Sequence, residues 1–174
     1  EAYHENGQLS MKSNYKDGEI VEGLYEAYHE NGQLSMKSNY KDGKSHGLYE
    51  SYDESGQLQT KKNYKDGKRH GLAEAYHENG QLRRKGNYKD GELHGLRVFY
   101  HENGQLEAKV SYKDGKPHGL YDSYHENGQL QTIQNYKDGK LHGIDRTYDE
   151  DGKEHYTSPL CYQNGEIVDM SNCK

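Results

Sequence analysis

The sequence predicts an all-β protein, an elongated single-sheet meander of stacked 24-residue β-hairpin repeats. Three observations predict it. The phrase YHENGQL starts at Tyr3, Tyr28, Tyr76, Tyr100 and Tyr124, with variants YDESGQL at Tyr52 and YDEDGKE at Tyr148. From Tyr28 onward the copies are spaced by 24 residues, a period typical of repeat architectures. Every unit also carries two hairpin signals, ENG and KDG, while recurring glycines interrupt each candidate helix.

The elements follow in order along the consensus GLxxxYHENGQLxxKxNYKDGKxH. Leu24, Glu26 and Tyr28 share one face of a first strand, and Leu34, Met36, Ser38 and Tyr40 one face of the next. Placing Tyr28 opposite Leu34 leaves Glu30-Asn31-Gly32 as a three-residue loop, with Gly32 at positive φ. The same reasoning makes Lys41-Asp42-Gly43 a three-residue loop with Tyr40 opposite Lys44. Tyr15 opens the first KDG copy, and one extra residue there, in DGEIVEGL at 17–24, explains why Tyr3 lies 25 before Tyr28.

With both loops that long, Leu34 falls opposite Glu50, whereas the repeat requires Tyr52. The strands must slip by two residues per unit, or a bulge must absorb the difference. The His46-Gly47 step is the expected place, because glycine within a strand often marks a bulge.

Four anchors per unit are expected to hold the array. They are Leu24, Leu48, Leu72, Leu96 and Leu120; Tyr28, Tyr52, Tyr76, Tyr100 and Tyr124; Leu34, Leu58, Leu82, Leu106 and Leu130; and Tyr40, Tyr64, Tyr88, Tyr112 and Tyr136. A lone unit cannot bury enough to fold, whereas a stack can. The expectation is about fourteen strands at roughly 4.8 Å spacing, with a thin core.

Composition alone would fit a disordered chain, but charges of both signs are mixed and the aromatics fall at fixed positions. Only 29% of residues are hydrophobic and 18 of them are Tyr, with one Phe and no Trp. Charged residues of both signs reach 30% and leave a net charge of -6. No Lys/Arg stripe is concentrated anywhere, which argues against a nucleic-acid partner. No apolar run approaches the roughly 18 residues that cross a bilayer. The chain opens inside a repeat, at EAYHENG, so upstream sequence is expected and the compartment stays open.

The residues YHENGQLSMKSNYKDGK followed by HGL resemble the variant MORN repeat, the kind found in bacterial YwqK-like antitoxin proteins. The resemblance covers residues 1 to about 150 and implies β-hairpins stacked in an extended sheet. It also implies scaffolding, membrane-lipid binding, or antitoxin and immunity roles, with no catalytic residue to carry over.

The residues with candidate chemistry recur from copy to copy. Glu30, Asp42 and Ser38 recur in other units, whereas catalysis needs a unique constellation, so no catalytic residue and no cofactor are expected. His46, His70, His94, His118 and His142 recur, as do His29, His77, His101 and His125. Equivalent residues two strands apart stand about 9.6 Å from each other, too far to share one zinc ion directly, so no metal site is expected. Such an array could still make assembly sensitive to acid.

Where the repeat varies it is free to recognise. The residue after GL is Tyr25, Tyr49, Ala73, Arg97, Tyr121 and, after GI, Asp145. Two positions on stand Ala27, Ser51, Ala75, Phe99, Ser123 and Thr147. A partner-binding surface is therefore expected around Tyr25, Tyr49, Arg97, Phe99 and Tyr121, on the face opposite the anchors. Neutral drift on an exposed face is the competing explanation. The expected partner is a protein, for instance a toxin. Alternatives are a lipid surface, a glycan, or a spacer whose open edge strands pair between chains.

Residues 151–174 leave the pattern and are expected to cap the 1–150 array. Cys161 and Cys173 are the only cysteines. A bridge between them would staple the cap and favour an extracytoplasmic compartment, whereas two free thiols fit the cytoplasm.

Overall fold

In the computed structural model, residues 1–16 and 19–173 are described. The corner of the first KDG copy, Asp17 and Gly18, and hence part of the 17–24 segment, lies outside them. The strands are β1 (Ala2–Tyr3), β2 (Leu9–Lys12), β3 (Tyr15–Lys16), β4 (Glu19–Ile20), β5 (Gly23–Tyr28) and β6 (Leu34–Lys41). Then come β7 (Lys44–Tyr52), β8 (Leu58–Lys65), β9 (Lys68–Tyr76), β10 (Leu82–Lys89), β11 (Glu92–Tyr100) and β12 (Leu106–Lys113). The series ends with β13 (Lys116–Tyr124), β14 (Leu130–Lys137), β15 (Lys140–Leu141), β16 (Gly143–Thr147), β17 (Leu160–Gln163) and β18 (Glu166–Val168). Sixteen of them form one open antiparallel sheet in sequence order, and β3 and β4 pair separately. Stacked hairpins, expected from the period, are what the chain builds.

The chain divides into two compact units, residues 1–82 with 88–91 and residues 83–87 with 92–174. In the first unit the ENG corner is the three-residue loop expected. His29 N–H donates to Gln33 O at 2.8 Å, and Gly32 has φ +82°. The KDG corner differs from expectation. Lys41 pairs with Lys44, so the loop is Asp42-Gly43 alone, and Tyr40 faces Ser45 rather than Lys44. Asp42 and Gly43 both have positive φ, 49° and 71°, which is a type I′ turn. That turn matches the right-handed twist of the flanking strands, and Asp tolerates the left-handed region better than most residues.

The His-Gly step carries the bulge expected of it. Ser38 faces Tyr49 and Tyr40 faces Ser45, so Asn39 opposes His46, Gly47 and Leu48. Register is thereby restored every 24 residues without slip. A second irregularity was not foreseen. Ala27 faces Met36 but Tyr28 faces Leu34, which leaves Ser35 unpaired. Gln59 has the same place in the next hairpin.

That extra residue decides which side chains share a face. Opposed residues lie on one face, as do alternate residues along a strand. One face carries Tyr25, Ala27, Met36, Ser38 and Tyr40, and Tyr25 and Tyr40 meet edge-on at 6.2 Å. The other carries Leu24, Glu26, Tyr28 and Leu34. Leu34 and Tyr40 were expected on one face, and Ser35 separates them.

The second unit repeats this build. Glu107 is its unpaired residue in β12, and Ser111 opposes the His118-Gly119-Leu120 bulge. The segment read as a cap extends the same sheet, with β17 on β16 and β18 on β17. Its corner, Asn164-Gly165, again has two positive φ values, 55° and 91°. Gly165 N–H reaches Leu141 O at 2.8 Å, as Gly139 N–H reaches Pro117 O at 2.9 Å. Cys161 and Cys173 are joined, with their Cα atoms 5.7 Å apart.

Little of this is held by a core. Ala75, Val98, Ala108, Val110 and Cys161 are the buried apolar residues among those described. The expected anchors Leu24, Leu72, Leu96 and Leu120 are 44%, 40%, 51% and 58% exposed. They fail as anchors because, among the described residues, no second layer covers them.

Cohesion comes instead from bonds between successive corners. His29 Nε2–H donates to Tyr52 O at 3.0 Å, and Asn31 Nδ2–H to Glu54 O at 2.6 Å. In the second unit His101 and Asn103 bond Tyr124 O and Glu126 O, both at 2.9 Å. A carbonyl only accepts, so these imidazoles donate, and protonation leaves the bond intact. The repeated phrase is thus a corner and a clip to the next corner. Glycine is needed in the loop for its φ, +82° at Gly32 and +84° at Gly56.

Candidate functional site

Cross-strand pairing builds a charge ladder on the leucine face. In the first unit Glu26, Lys37, Glu50, Lys61 and Glu74 oppose one another in succession. Glu50, only 7% exposed, takes Lys37 Nζ at 2.6 Å, Lys61 Nζ at 3.7 Å and the Tyr52 hydroxyl at 2.9 Å. Burial pushes its carboxyl up, but those two bonds and the two lysine charges outweigh it and leave the group below its ordinary value. In the second unit the row reads Val98, Lys109, Asp122, Ile133 and Arg146, with Lys109 bound to Asp122 at 3.0 Å and Arg146 to Glu154 at 3.0 and 3.1 Å. These pairs are structural.

The tyrosine face holds the candidate site. Tyr49 and Tyr64 meet edge-on at 6.1 Å and Tyr121 and Tyr136 at 6.3 Å. In the second unit a groove of about 270 Å³ opens on this face. Its floor is buried Ala108 and Val110, and Phe99, Tyr112, Pro117, Tyr121 and Tyr136 line it with Glu107. The register explains the assembly, because Phe99 faces Ala108, Val110 faces Tyr121 and Tyr112 faces Pro117. Small floor residues between large rings leave the depression.

The groove is electronegative at one side. The Tyr136 hydroxyl donates to Gln134 Oε1 at 3.1 Å, and Gln134 Nε2–H donates to Asp145 Oδ2 at 3.1 Å. Asp145 is 9% exposed, and its Oδ1 is enclosed with no hydrogen-bond partner among the described residues. Burial first, then Tyr121, Asp145 and Tyr112, raise the pKa of the Tyr136 phenol.

Of the surface residues expected from variation, Phe99 and Tyr121 line this one groove. Arg97 lies on the same face, its guanidinium 4.8 Å from the centre of the Phe99 ring. Tyr25 and Tyr49 belong to the first unit and pack on Tyr40 and Tyr64. These surface residues were expected on the face opposite the anchors, and that holds against Leu24, Tyr28 and Leu34 but not against Tyr40. Sequence reasoning missed Val110, Pro117 and Glu107, and took Tyr112 and Tyr136 for scaffold alone. Their signal was departure from the copies: Val110 stands where Ser38 and Lys62 stand, and Pro117 where Ser45 and Arg69 stand. Among the described residues, no three His, Cys, Asp or Glu side chains converge to hold a metal ion.

The comparisons bear on the repeat. Two solved structures of TarM, one of them the S. aureus protein in complex with fondaparinux, alpha-GlcNAc-glycerol and UDP, share 11% and 12% identity with this chain at TM-scores of 0.37 and 0.36. Each match covers 55% of this chain and 19% of TarM. No curated protein sequence matches the chain. The family model described as MORN repeat variant matches residues 1–17, 21–42, 45–66, 69–90, 93–114 and 117–138, and so the chain belongs to the MORN repeat variant family.

Proposed function

We propose that this chain is a non-catalytic repeat scaffold that binds another protein through the groove on its tyrosine face. The observation that carries the reading is where the repeat breaks its own pattern. Phe99 and Val110 replace smaller or polar residues of other copies, Pro117 stands where those copies carry Ser45, Arg69, Leu93 and Leu141, and all three line one depression. Drift would scatter such departures, whereas a binding site gathers them. Half-buried aromatic residues beside an apolar floor are common interface anchors. An antitoxin or immunity role, in which the face covers a toxin, is the specific form suggested by the likeness to bacterial antitoxin proteins. The joined Cys161 and Cys173 support an oxidising compartment.

Photo-cross-linking tests the site. The photoreactive residue p-benzoylphenylalanine is placed at Tyr121 or Phe99, and as a control at Leu120 on the opposite face. Partner adducts in an extract of the source cells are expected from 121 and 99 but not from 120. Equal adducts from both faces, or from 120 alone, would rule out the groove.

A second reading has its own observation. Leu96, Leu120 and Ile144 stand 51%, 58% and 41% exposed in one row on the leucine face of the second unit. Such a row suits a lipid surface. Flotation with anionic liposomes that is lost in Leu96→Ser/Leu120→Ser would support it, and no flotation would discard it.

A further inference from the structure

In the first unit, two rings of the tyrosine face carry a basic side chain of their own. Lys62, directly opposite Tyr49, sets its ammonium 5.0 Å from the ring centre. Arg69 holds its guanidinium 5.3 Å over the Tyr88 ring and donates to the hydroxyl at 3.4 Å. The 24-residue period identifies the matching positions in the groove. Tyr121 corresponds to Tyr49 but faces Gln134, not a lysine. Tyr112 and Tyr136 correspond to Tyr88, and Leu93 and Pro117 stand where Arg69 would. The rings are kept and the bases are not. Among the described residues no Lys or Arg lies over Tyr112, Tyr121 or Tyr136, and Arg97 is engaged with Phe99.

What surrounds the rings is apolar or acidic. Val110 and Ala108 form the floor, Glu107 stands in the lining, and the half-satisfied Asp145 carboxylate lies beyond Gln134. Tyr25 and Tyr40 also lack a basic neighbour across the sheet, but they stand over Ser38 rather than an apolar floor. Phenol faces attract cations, more strongly where water is partly excluded. Charge complementarity points the same way, since the chain as a whole carries a net charge of -6.

We propose that the groove accepts an arginine or lysine side chain of the partner protein, laid over Tyr121 and Tyr136 with its apolar neighbours on Ala108 and Val110. This rests on the protein-binding reading and names the chemistry it recognises. The first unit supplies the template, because it makes the same contact within the chain.

The test is an NMR titration of the full chain with ¹³C-labelled tyrosine rings. The probes are N-acetyl-arginine amide, the uncharged N-acetyl-norleucine amide, and phosphocholine, each to about 50 mM, which reveals a Kd in the millimolar range. The arginine probe is expected to shift Tyr112, Tyr121 and Tyr136 and to leave Tyr49 and Tyr88 in place. Gln134→Lys and Pro117→Arg rebuild the Lys62–Tyr49 and Arg69–Tyr88 pairs, so both should fold, and each should weaken the response by about tenfold. Norleucine amide acting as strongly as arginine, or an unchanged response in both variants, overturns the cation while leaving the groove a protein site. Phosphocholine shifting these rings in place of arginine overturns the proposal in favour of a lipid headgroup. Silence from all probes overturns it too, and the cross-links at Tyr121 then decide separately whether a protein binds.

Discussion

Replacing Glu50 by glutamine tests whether the cross-strand charges hold this sheet. The substitution keeps size and shape and removes only the charge. Glu50 accepts from Lys37 Nζ and from the Tyr52 hydroxyl, and bonds to a charged group contribute about 1.5–3 kcal/mol each. Two corrections reduce the loss. The amide oxygen still accepts from Tyr52, and the lysines, with side chains 35% and 42% exposed, return to water readily. The expected cost is about 1–2 kcal/mol. Glu26→Gln is the control at the equivalent position. Glu26 accepts from the Tyr28 hydroxyl at 3.1 Å, while the lysine opposite it, Lys37, is drawn to Glu50. Its cost should stay within about 0.5 kcal/mol.

Urea unfolding at neutral pH should show a lower midpoint for Glu50→Gln with an unchanged slope. Amide exchange should place the loss in β6, β7 and β8. The pH dependence adds a second readout. Because the folded Glu50 carboxyl lies below its ordinary value of 4.5, the folded state binds fewer protons there than the unfolded state. Its stabilisation is therefore complete above the unfolded value and disappears as pH falls through the lower folded one. Wild type should lose extra stability in that acid window, and Glu50→Gln should not. Equal costs for Glu50→Gln and Glu26→Gln, together with parallel acid slopes, would refute the reasoning.

Four further outcomes follow from the geometry. Asp66→Val places a β-branched residue at φ +51° and should cost about 1–2 kcal/mol, whereas Asp66→Asn should be near neutral in the same urea assay. His29→Ala removes the clip to Tyr52 O and should cost about 0.5–1.5 kcal/mol, seen as faster amide exchange at the two corners it joins. Leu120→Ser, on the exposed row, should cost less than about 0.5 kcal/mol in thermal melts, and Val110→Ala, in the groove floor, about 1–2 kcal/mol. Cys161→Ser/Cys173→Ser opens a loop of sequence separation 12 and should cost roughly 3 kcal/mol or less, with limited proteolysis first cutting beyond β16.

How much was legible depended on whether a feature is local. Asn-Gly and Asp-Gly announce corners by themselves, and counting to 24 required a bulge near His46-Gly47. The length of the KDG loop was harder, because Asp42 is equally at home flanking a three-residue loop or inside a two-residue one. Ser35 gave no sign, since Gln59, Glu107 and Gln131 fill the same unpaired place with unrelated side chains. That single residue decides which face Leu34 takes, so the division of faces was misjudged. The charge ladder was visible only as two separate recurrences, Glu26, Glu50 and Glu74, and Lys37, Lys61 and Lys85. Register brings most of them together, and register depended on the bulges. Phe99 and Tyr121, which line the groove, stood out because they vary, whereas Tyr112 and Tyr136, which line it too, were hidden by their constancy.

The division of labour within the repeat explains how a sheet with so little core leaves room for the proposed recognition. Corners fix the backbone through positive φ, and His29, Asn31, His101 and Asn103 tie their corners to the next ones. The ladder adds cohesion across the strands on one face. None of these devices uses the centre of the tyrosine face, so residues there can change without disturbing the corners or the ladder, in keeping with arrays held by neighbour contacts. The groove shows the consequence. Gln134 and Pro117 stand beside Tyr121 and Tyr136 where Lys62 and Arg69 stand beside Tyr49 and Tyr88, and Phe99 and Val110 add apolar surface next to those rings. A site that arises by removing internal partners is already shaped for the group removed, which is why a basic side chain, rather than an apolar one alone, is the partner to test first.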